Sequence, residues 1–202
     1  QAEDGIRDVE RSRGLGDVYK RQLQNHFIRS ANTGDAIGFN FVVNMNKVYE
    51  DFITTLLEEI VSEDAQFNNY IVEPQKRFNT LVREKSILTK PDIVLKKKNS
   101  SKGEYPILID AKYKRDSSQA DYYQMIAYGI AIPTVKNCCL IYPNTESVGP
   151  TKKFTVTKDL RNPDSPTFNL NLLSINLDID LPFNQYITRI KQDLIERLLP
   201  FV

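Results

Sequence analysis

Ile107-Leu108-Ile109-Asp110-Ala111-Lys112 is an apolar, strand-like run that closes on a carboxylate and an ammonium. In an extended strand residues i and i+2 share a face, so Asp110 and Lys112 project together while Ala111 points the other way. One strand upstream stands Pro91-Asp92, followed by Ile93-Val94-Leu95. Two carboxylates from neighbouring strands beside a lysine are what metal-assisted phosphodiester hydrolysis uses. Oxygen ligands hold Mg²⁺, and the cation next to it orients and polarises the attacking water. A surface salt bridge is the plainer reading of a lone triplet, since roughly one (D/E)-x-K match per chain of this length arises by chance. This triplet, however, is the only one in the chain and ends its most apolar strand. Burying both charges there is costly unless they pair or bind a metal.

Composition narrows the alternatives. With 202 residues, 41% hydrophobic and 26% charged, the chain suits one globular domain with a proper core. A net charge of +1 neither demands nor excludes a polyanionic partner, so any nucleic-acid surface must be a local patch. No apolar stretch approaches the ~18 residues of a membrane span. The charged N-terminus lacks a signal-peptide core, and a cytoplasmic location is expected. Adjacent Cys138 and Cys139 cannot build a disulfide framework or a zinc site and read as strand residues without chemistry. The single histidine, His26, is too few for a histidine-metal nuclease or a Ser-His-Asp triad. Carboxylate-plus-lysine chemistry remains the main hydrolytic option. No G-x-x-x-x-G-K-[ST] loop is present, so nucleotide hydrolysis is not expected of this chain.

Residues 1–22 lack helical or strand periodicity and resemble a translated sequencing-adapter scar. They are expected to be non-native and disordered, leaving residues 23–202 as a domain without its native N-terminal region. Phe39 to Val43 is a short apolar run. A helix follows, with Val48, Phe52, Leu56 and Ile60 in one row and Tyr49, Ile53, Leu57 and Val61 in the next. Glu50 falls at the edge of that stripe and Asp51 near the opposite, solvated face.

Strands are expected at Tyr70–Val72, Ser86–Leu88, Asp92–Leu95, Tyr105–Tyr113 and Asn137–Tyr142, the last ended by Pro143-Asn144. Phe154–Val156 and Phe168–Ile179 read as late, edge strands. Ser117 or Ser118 caps a helix over about Gln119–Ile130, and an amphipathic helix over Asn184–Leu199 closes the chain. Helix, strands, helix, strand predicts an α/β fold with a mixed central sheet flanked by helices.

Gln124 and Tyr128 share a helix face at i, i+4, with Asp121 near it. They either orient a phosphate, a water or the lysine, or else pack in the core and cap a strand edge. Glu50 supplies a third carboxylate, as hard-cation sites often have. Lys96, Lys97, Lys98 and Lys102 fall in a hairpin between the two carboxylate strands, either as a solvated turn or as phosphate contacts. Tyr122 and Tyr123 either pack or stack on bases.

Pro91-Asp92, Asp110-Ala111-Lys112 and Gln124-x-x-x-Tyr128, in that order, resemble the PD-(D/E)xK nuclease superfamily in its subset with a Q-x-x-x-Y helix. Four blocks resemble more closely the McrC family, the nuclease subunits of McrBC modification-dependent restriction systems. They are Met45–Phe52, Pro91–Leu95, Ile109–Tyr113 and Asp121–Tyr128, within a likeness spanning about residues 40 to 145. The resemblance implies a restriction-endonuclease-like core and Mg²⁺-dependent DNA endonuclease activity, Mn²⁺ substituting, that leaves 5′-phosphate and 3′-hydroxyl ends. Asp92 and Asp110 would be metal ligands, Glu50 a further acidic ligand, and Lys112 the residue positioning the water. Gln124 and Tyr128 would support the site. The implied partners are double-stranded DNA carrying modified cytosine and a McrB-type GTPase motor, with no membrane. In the family the motor-contacting region lies largely before the nuclease domain, and little native sequence is expected before Met45 here. A RecB-like exonuclease, another restriction nuclease of the superfamily, or a catalytically silent DNA-binding module would carry the same fold.

Overall fold

The computed structural model describes residues 29–33, 36–40, 43–78, 88–100, 103–114, 116–144, 151–157, 167–177 and 180–202. The reading of residues 1–22 as a scar lies outside them. The chain divides into two compact units between Asn44 and Met45. In the first unit β1 (Arg29–Thr33) and β2 (Ala36–Asn40) form an antiparallel pair.

The second unit is a three-layer α/β structure. Its mixed sheet contains β3 (Tyr70–Pro74), β4 (Ile93–Lys97), β5 (Ile107–Ala111), β6 (Asn137–Asn144), β7 (Lys152–Thr157) and β8 (Thr167–Asn176). The spatial order is β3-β4-β5-β6-β8-β7. Pairs β3/β4, β4/β5 and β7/β8 are antiparallel, while β5/β6 and β6/β8 are parallel. Helices α1 (Met45–Glu63) and α3 (Phe183–Leu198) cover one face, and α2 (Gln119–Ala131) covers the other. Among the described residues no helix is long and apolar enough to cross a membrane.

Strand alternation distributes the core. Ile93, Ile107, Ile109, Cys139, Ile141 and Leu173 face α1 and α3. Val94, Leu108, Cys138, Leu140 and Leu170 face α2, with Met125 from the helix itself. All five residues of β5 are buried, as its unbroken apolar run predicts for a strand covered on both sides. On α1 the buried set is Tyr49, Ile53, Leu56, Leu57, Ile60 and Val61, so the stripe is centred one row over from Val48, which is exposed. Lys191 of α3 reaches Glu59 at 2.7 Å and Glu63 at 2.9 Å, tying the two helices of that face together.

Two strand expectations need correction. Pro143 does not end β6, which runs on to Asn144. The Ile141 carbonyl accepts from Lys112 N–H on the β5 side, so residue 143, two positions on, also directs its backbone toward β5. That strand has stopped by then, and the N–H that proline lacks has no partner to lose. Nor is β8 an edge strand: it lies between β6 and β7, with Leu170, Leu173 and Ile175 buried. The edge belongs to β7, whose exposed Lys152 and Lys153 discourage pairing with another chain. Of the strand expected at Ser86–Leu88, only Leu88 is described; Thr89 next to it makes an isolated bridge to Phe78.

Candidate active site

The β4/β5 register sets the site. Ile93 pairs with Ile109, so the next step of the ladder puts Asp92 opposite Asp110. By alternation both side chains lie on the α2 face, the same as Val94 and Leu108. Lys112, two residues beyond Asp110, extends the same row. The three residues singled out first in the sequence are therefore neighbours.

Asp110 is fully buried. Its Oδ2 lies 2.6 Å from Lys112 Nζ, yet among the described residues neither carboxylate oxygen receives a well-directed hydrogen bond. Asp92 is half-buried, and its Oδ2 accepts from Ala111 N–H at 3.1 Å. Burial pushes the Asp92 carboxyl up to about 7; repulsion from Asp110 and Glu50 adds to the rise, against the Lys112 charge and the Ala111 N–H. Burial likewise raises Asp110, with the Lys112 ammonium opposing it. For Lys112 burial works downward, but the Asp110 contact and the surrounding carboxylates outweigh it and hold the ammonium above its ordinary value. The result is a pair of crowded acids that resist double ionisation and a lysine that stays charged.

Gln124 and Tyr128 act on this site from α2 through a neighbouring segment. Gln124 Nε2 donates to the Tyr128 hydroxyl at 2.9 Å, and that hydroxyl donates to the Lys90 carbonyl at 3.2 Å. The two residues thus grip the segment that leads into Pro91-Asp92. Neither makes a hydrogen bond to Asp92, Asp110 or Lys112 among the described residues. Burial raises the Tyr128 phenol, partly offset by Gln124, with the Asp110 and Asp92 charges adding to the rise.

Glu50 comes from α1, in the layer opposite α2. Its Oε1 accepts from Gln75 Nε2 at 2.6 Å and lies 3.4 Å from Lys47 Nζ. Its charge is felt at Asp92, but among the described residues no three His, Cys, Asp or Glu side chains stand together as a ready ligand set. Asp121, expected near the Gln124 face, caps its own helix: it accepts from Ser118 N–H at 2.8 Å and from the Tyr142 hydroxyl at 3.2 Å, and pairs with Lys114 at 2.5 Å, while its charge is felt at Asp110 and Lys112.

The hairpin lysines lie at the other end of β4 from Asp92, on the order of 15 Å away for a five-residue strand. Lys96 pairs with Glu73 at 3.6 Å and Lys97 with Glu104 at 3.8 Å; Lys98 is exposed, and Lys102 lies outside the described residues. Tyr122 packs near Phe154 with ring centroids 6.4 Å apart, while Tyr123 is exposed. Cys138 and Cys139 are buried free thiols on opposite faces of the sheet.

Two residues of this neighbourhood carry no sequence signature, Gln75 and Lys90. Lys90 Nζ donates to Gln75 Oε1 at 2.6 Å, and Gln75 N–H donates to the Asp92 carbonyl at 2.7 Å. Position next to Pro91 was the one available pointer to Lys90.

The donor set fits a hard cation. Asp110 presents a buried carboxylate oxygen without a partner among the described residues, Asp92 faces it, and both are oxygen ligands of the kind Mg²⁺ selects.

Comparison with known proteins bears on what this geometry serves. A family model described as "McrBC 5-methylcytosine restriction system component" matches residues 23–143. No curated protein matches. Among solved structures the chain is similar to one in a refined half-complex from a tetradecameric assembly of Thermococcus gammatolerans McrB AAA+ hexamers with bound McrC. Identity is 20% and the TM-score 0.49, over 78% of this chain and 34% of that one. The chain therefore spans about a third of the length of that neighbour. The family match covers well over half of the 202 residues, and the chain belongs to the McrBC 5-methylcytosine restriction system component family.

Proposed function

We propose that this chain is a McrC-type nuclease subunit with a PD-(D/E)xK core, hydrolysing phosphodiester bonds of DNA in a Mg²⁺-dependent reaction. The observation that carries the reading is Asp110: a fully buried carboxylate between Asp92 and Lys112 whose Oδ1 has no partner among the described residues. An ion pair through Oδ2 alone leaves Oδ1 an unmet acceptor in low dielectric, which is costly unless a cation is bound. Asp92 and Asp110 would hold the ion, with Glu50 contributing from α1. Bound there, the ion would supply positive charge against the anionic transition state of phosphodiester hydrolysis.

The chain's own residues have separable tasks. Lys112 remains charged beside the carboxylates and can fix an attacking water or a phosphate oxygen through its ammonium protons. Ala111 N–H holds one oxygen of Asp92, leaving the other free to turn toward Asp110. Tyr128 and Gln124 fix the segment that carries Asp92. The family description supports DNA with methylated cytosine as the target, and a McrB-type AAA+ protein is the proposed partner.

Nicking of methylated plasmid in Mg²⁺ or Mn²⁺ tests the reading, comparing the wild-type chain with Asp110→Ala and Lys112→Ala, alone and with a McrB-type partner and GTP. Cleavage by the wild type alone supports it. Equal nicking by all three proteins overturns it. DNA binding without cleavage under every condition would instead assign a silent binding module.

A further inference from the structure

We infer that Gln75 is a positioning residue of this site, holding Glu50 and the Asp92 segment in fixed relation; the inference rests on the nuclease reading above. Three contacts converge on this residue. Its N–H donates to the Asp92 carbonyl at 2.7 Å, continuing the β3/β4 ladder one step past Pro74 and Ile93. Its Nε2 donates to Glu50 Oε1 at 2.6 Å. Its Oε1 accepts from Lys90 Nζ at 2.6 Å. One half-buried side chain therefore joins α1, the end of β3 and the segment entering β4.

The backbone at this point is unusual. Gln75 has φ 48, and among the described residues no other non-glycine residue has a positive φ. This left-handed region is disfavoured for residues with a Cβ, and such strain persists where surrounding contacts over-determine it. Here the contacts are the three just named. Regular alternation would keep the Gln75 side chain on the face of Asp92. At φ 48 alternation is broken, and the amide meets Glu50 from the other layer.

The chemistry of the amide explains why glutamine suits the position. It stands between an anion and a cation, donating to one and accepting from the other. The amide bridges Lys90 and Glu50 without direct contact between the two charges. Gln75 and Lys47 both meet Glu50 at Oε1, and among the described residues Oε2 receives no hydrogen bond. Tethered on one side, the carboxylate has a second oxygen to direct at a cation. Outer partners that orient ligating carboxylates in this way typically change metal affinity by about 10–100-fold when removed.

Mn²⁺ binding to the full chain, followed by calorimetric titration and by the electron paramagnetic resonance of free Mn²⁺, tests the inference. Gln75→Gly removes the amide while accepting the positive φ, so the turn is retained. Its thermal midpoint is expected to match or exceed the wild type, while Mn²⁺ affinity falls about tenfold. Glu50→Gln is expected to lose a similar factor, and the double variant no more than Glu50→Gln alone, because the two residues act as one unit. Affinity of Gln75→Gly within about twofold of wild type overturns the inference. So does a lowered thermal midpoint with unchanged affinity, which would make the role purely structural. Asp110→Ala separates the two levels. If it binds Mn²⁺ as tightly as wild type, the metal-site reading itself fails. If it loses binding while Gln75→Gly does not, only the role of Gln75 is lost.

Discussion

Lys112 Nζ lies 2.6 Å from Asp110 Oδ2, with the lysine side chain 25% exposed and the carboxylate wholly enclosed. The two partners are therefore unequal: the ammonium can still reach water, and the carboxylate cannot. Removing the lysine leaves a buried charge with no compensation. Lys112→Met is expected to destabilise the fold by on the order of 2–4 kcal/mol near neutral pH, and Asp110→Asn in addition to recover most of it. Urea unfolding of the single and double variants measures this. Equal loss in both would mean the pair is not coupled.

The crowding of Asp92 and Asp110 gives stability a pH dependence of definite sign. Burial first, and then repulsion from Asp110, puts the folded value of Asp92 near 7, above that of the unfolded chain. Between about pH 4 and pH 7 the native state consequently binds more protons than the unfolded one, and stability falls as pH rises through that window. Asp92→Asn is expected to flatten this part of the profile and to gain about 1–3 kcal/mol at pH 8. Mg²⁺ should raise the wild-type thermal midpoint at pH 8, where both acids are available, and far less at pH 5. Both effects are read from melting curves across pH, and an Asp92→Asn profile parallel to wild type would contradict them.

Legibility in the sequence followed the range of the interactions. β4 and β5 were readable because a short run of buried aliphatic residues bounded by turns leaves a local pattern, and alternation then fixed which residues share a face with Asp110. Glu50 was readable as the edge of a helical stripe. The position of β8 was not, because parallel pairing with β6 is set by residues about 30 positions apart and leaves no turn between them. Helix-face geometry puts Asp121 near Gln124 but does not reveal its local partner, the Ser118 N–H. Gln75 was invisible for a different reason. A left-handed residue normally announces itself as Gly or Asn, and here a glutamine occupies the conformation because its own contacts hold it there.

Tyr128 and Gln124 separate stability from activity in a testable way. The Lys90 carbonyl that Tyr128 holds belongs to an exposed residue and can turn to water when the phenol is lost. Tyr128→Phe is therefore expected to cost only about 0.5–1.5 kcal/mol of stability. The Asp92 segment would lose its clamp, and metal-dependent cleavage should fall about tenfold. Gln124→Leu leaves the Tyr128 bond to Lys90 in place and should have a smaller effect on both. Cleavage rates at saturating metal beside denaturation midpoints make the comparison. Unchanged cleavage in Tyr128→Phe would reduce the pair to core packing.

Gly129 on α2 is a position where space, rather than backbone freedom, demands glycine. A Cβ there would lie 2.5 Å from Cε2 and Cζ of Phe168 on β8. Two effects of similar size oppose each other on mutation to alanine. Helix propensity favours Ala by about 1 kcal/mol, while overpacking a closed core costs about 1–3 kcal/mol. The winner depends on whether Phe168 can move, and its ring is buried in the cluster with Met125 and Leu170. Overpacking should prevail: Gly129→Ala is expected to destabilise by about 1–2 kcal/mol. With Phe168→Leu already in place the obstruction is gone, and the same substitution should become neutral or stabilising. A double-mutant cycle by chemical denaturation reads the reversal. If the two changes simply add, the helix is backing away from β8 as a body, and the close contact is not what limits residue 129.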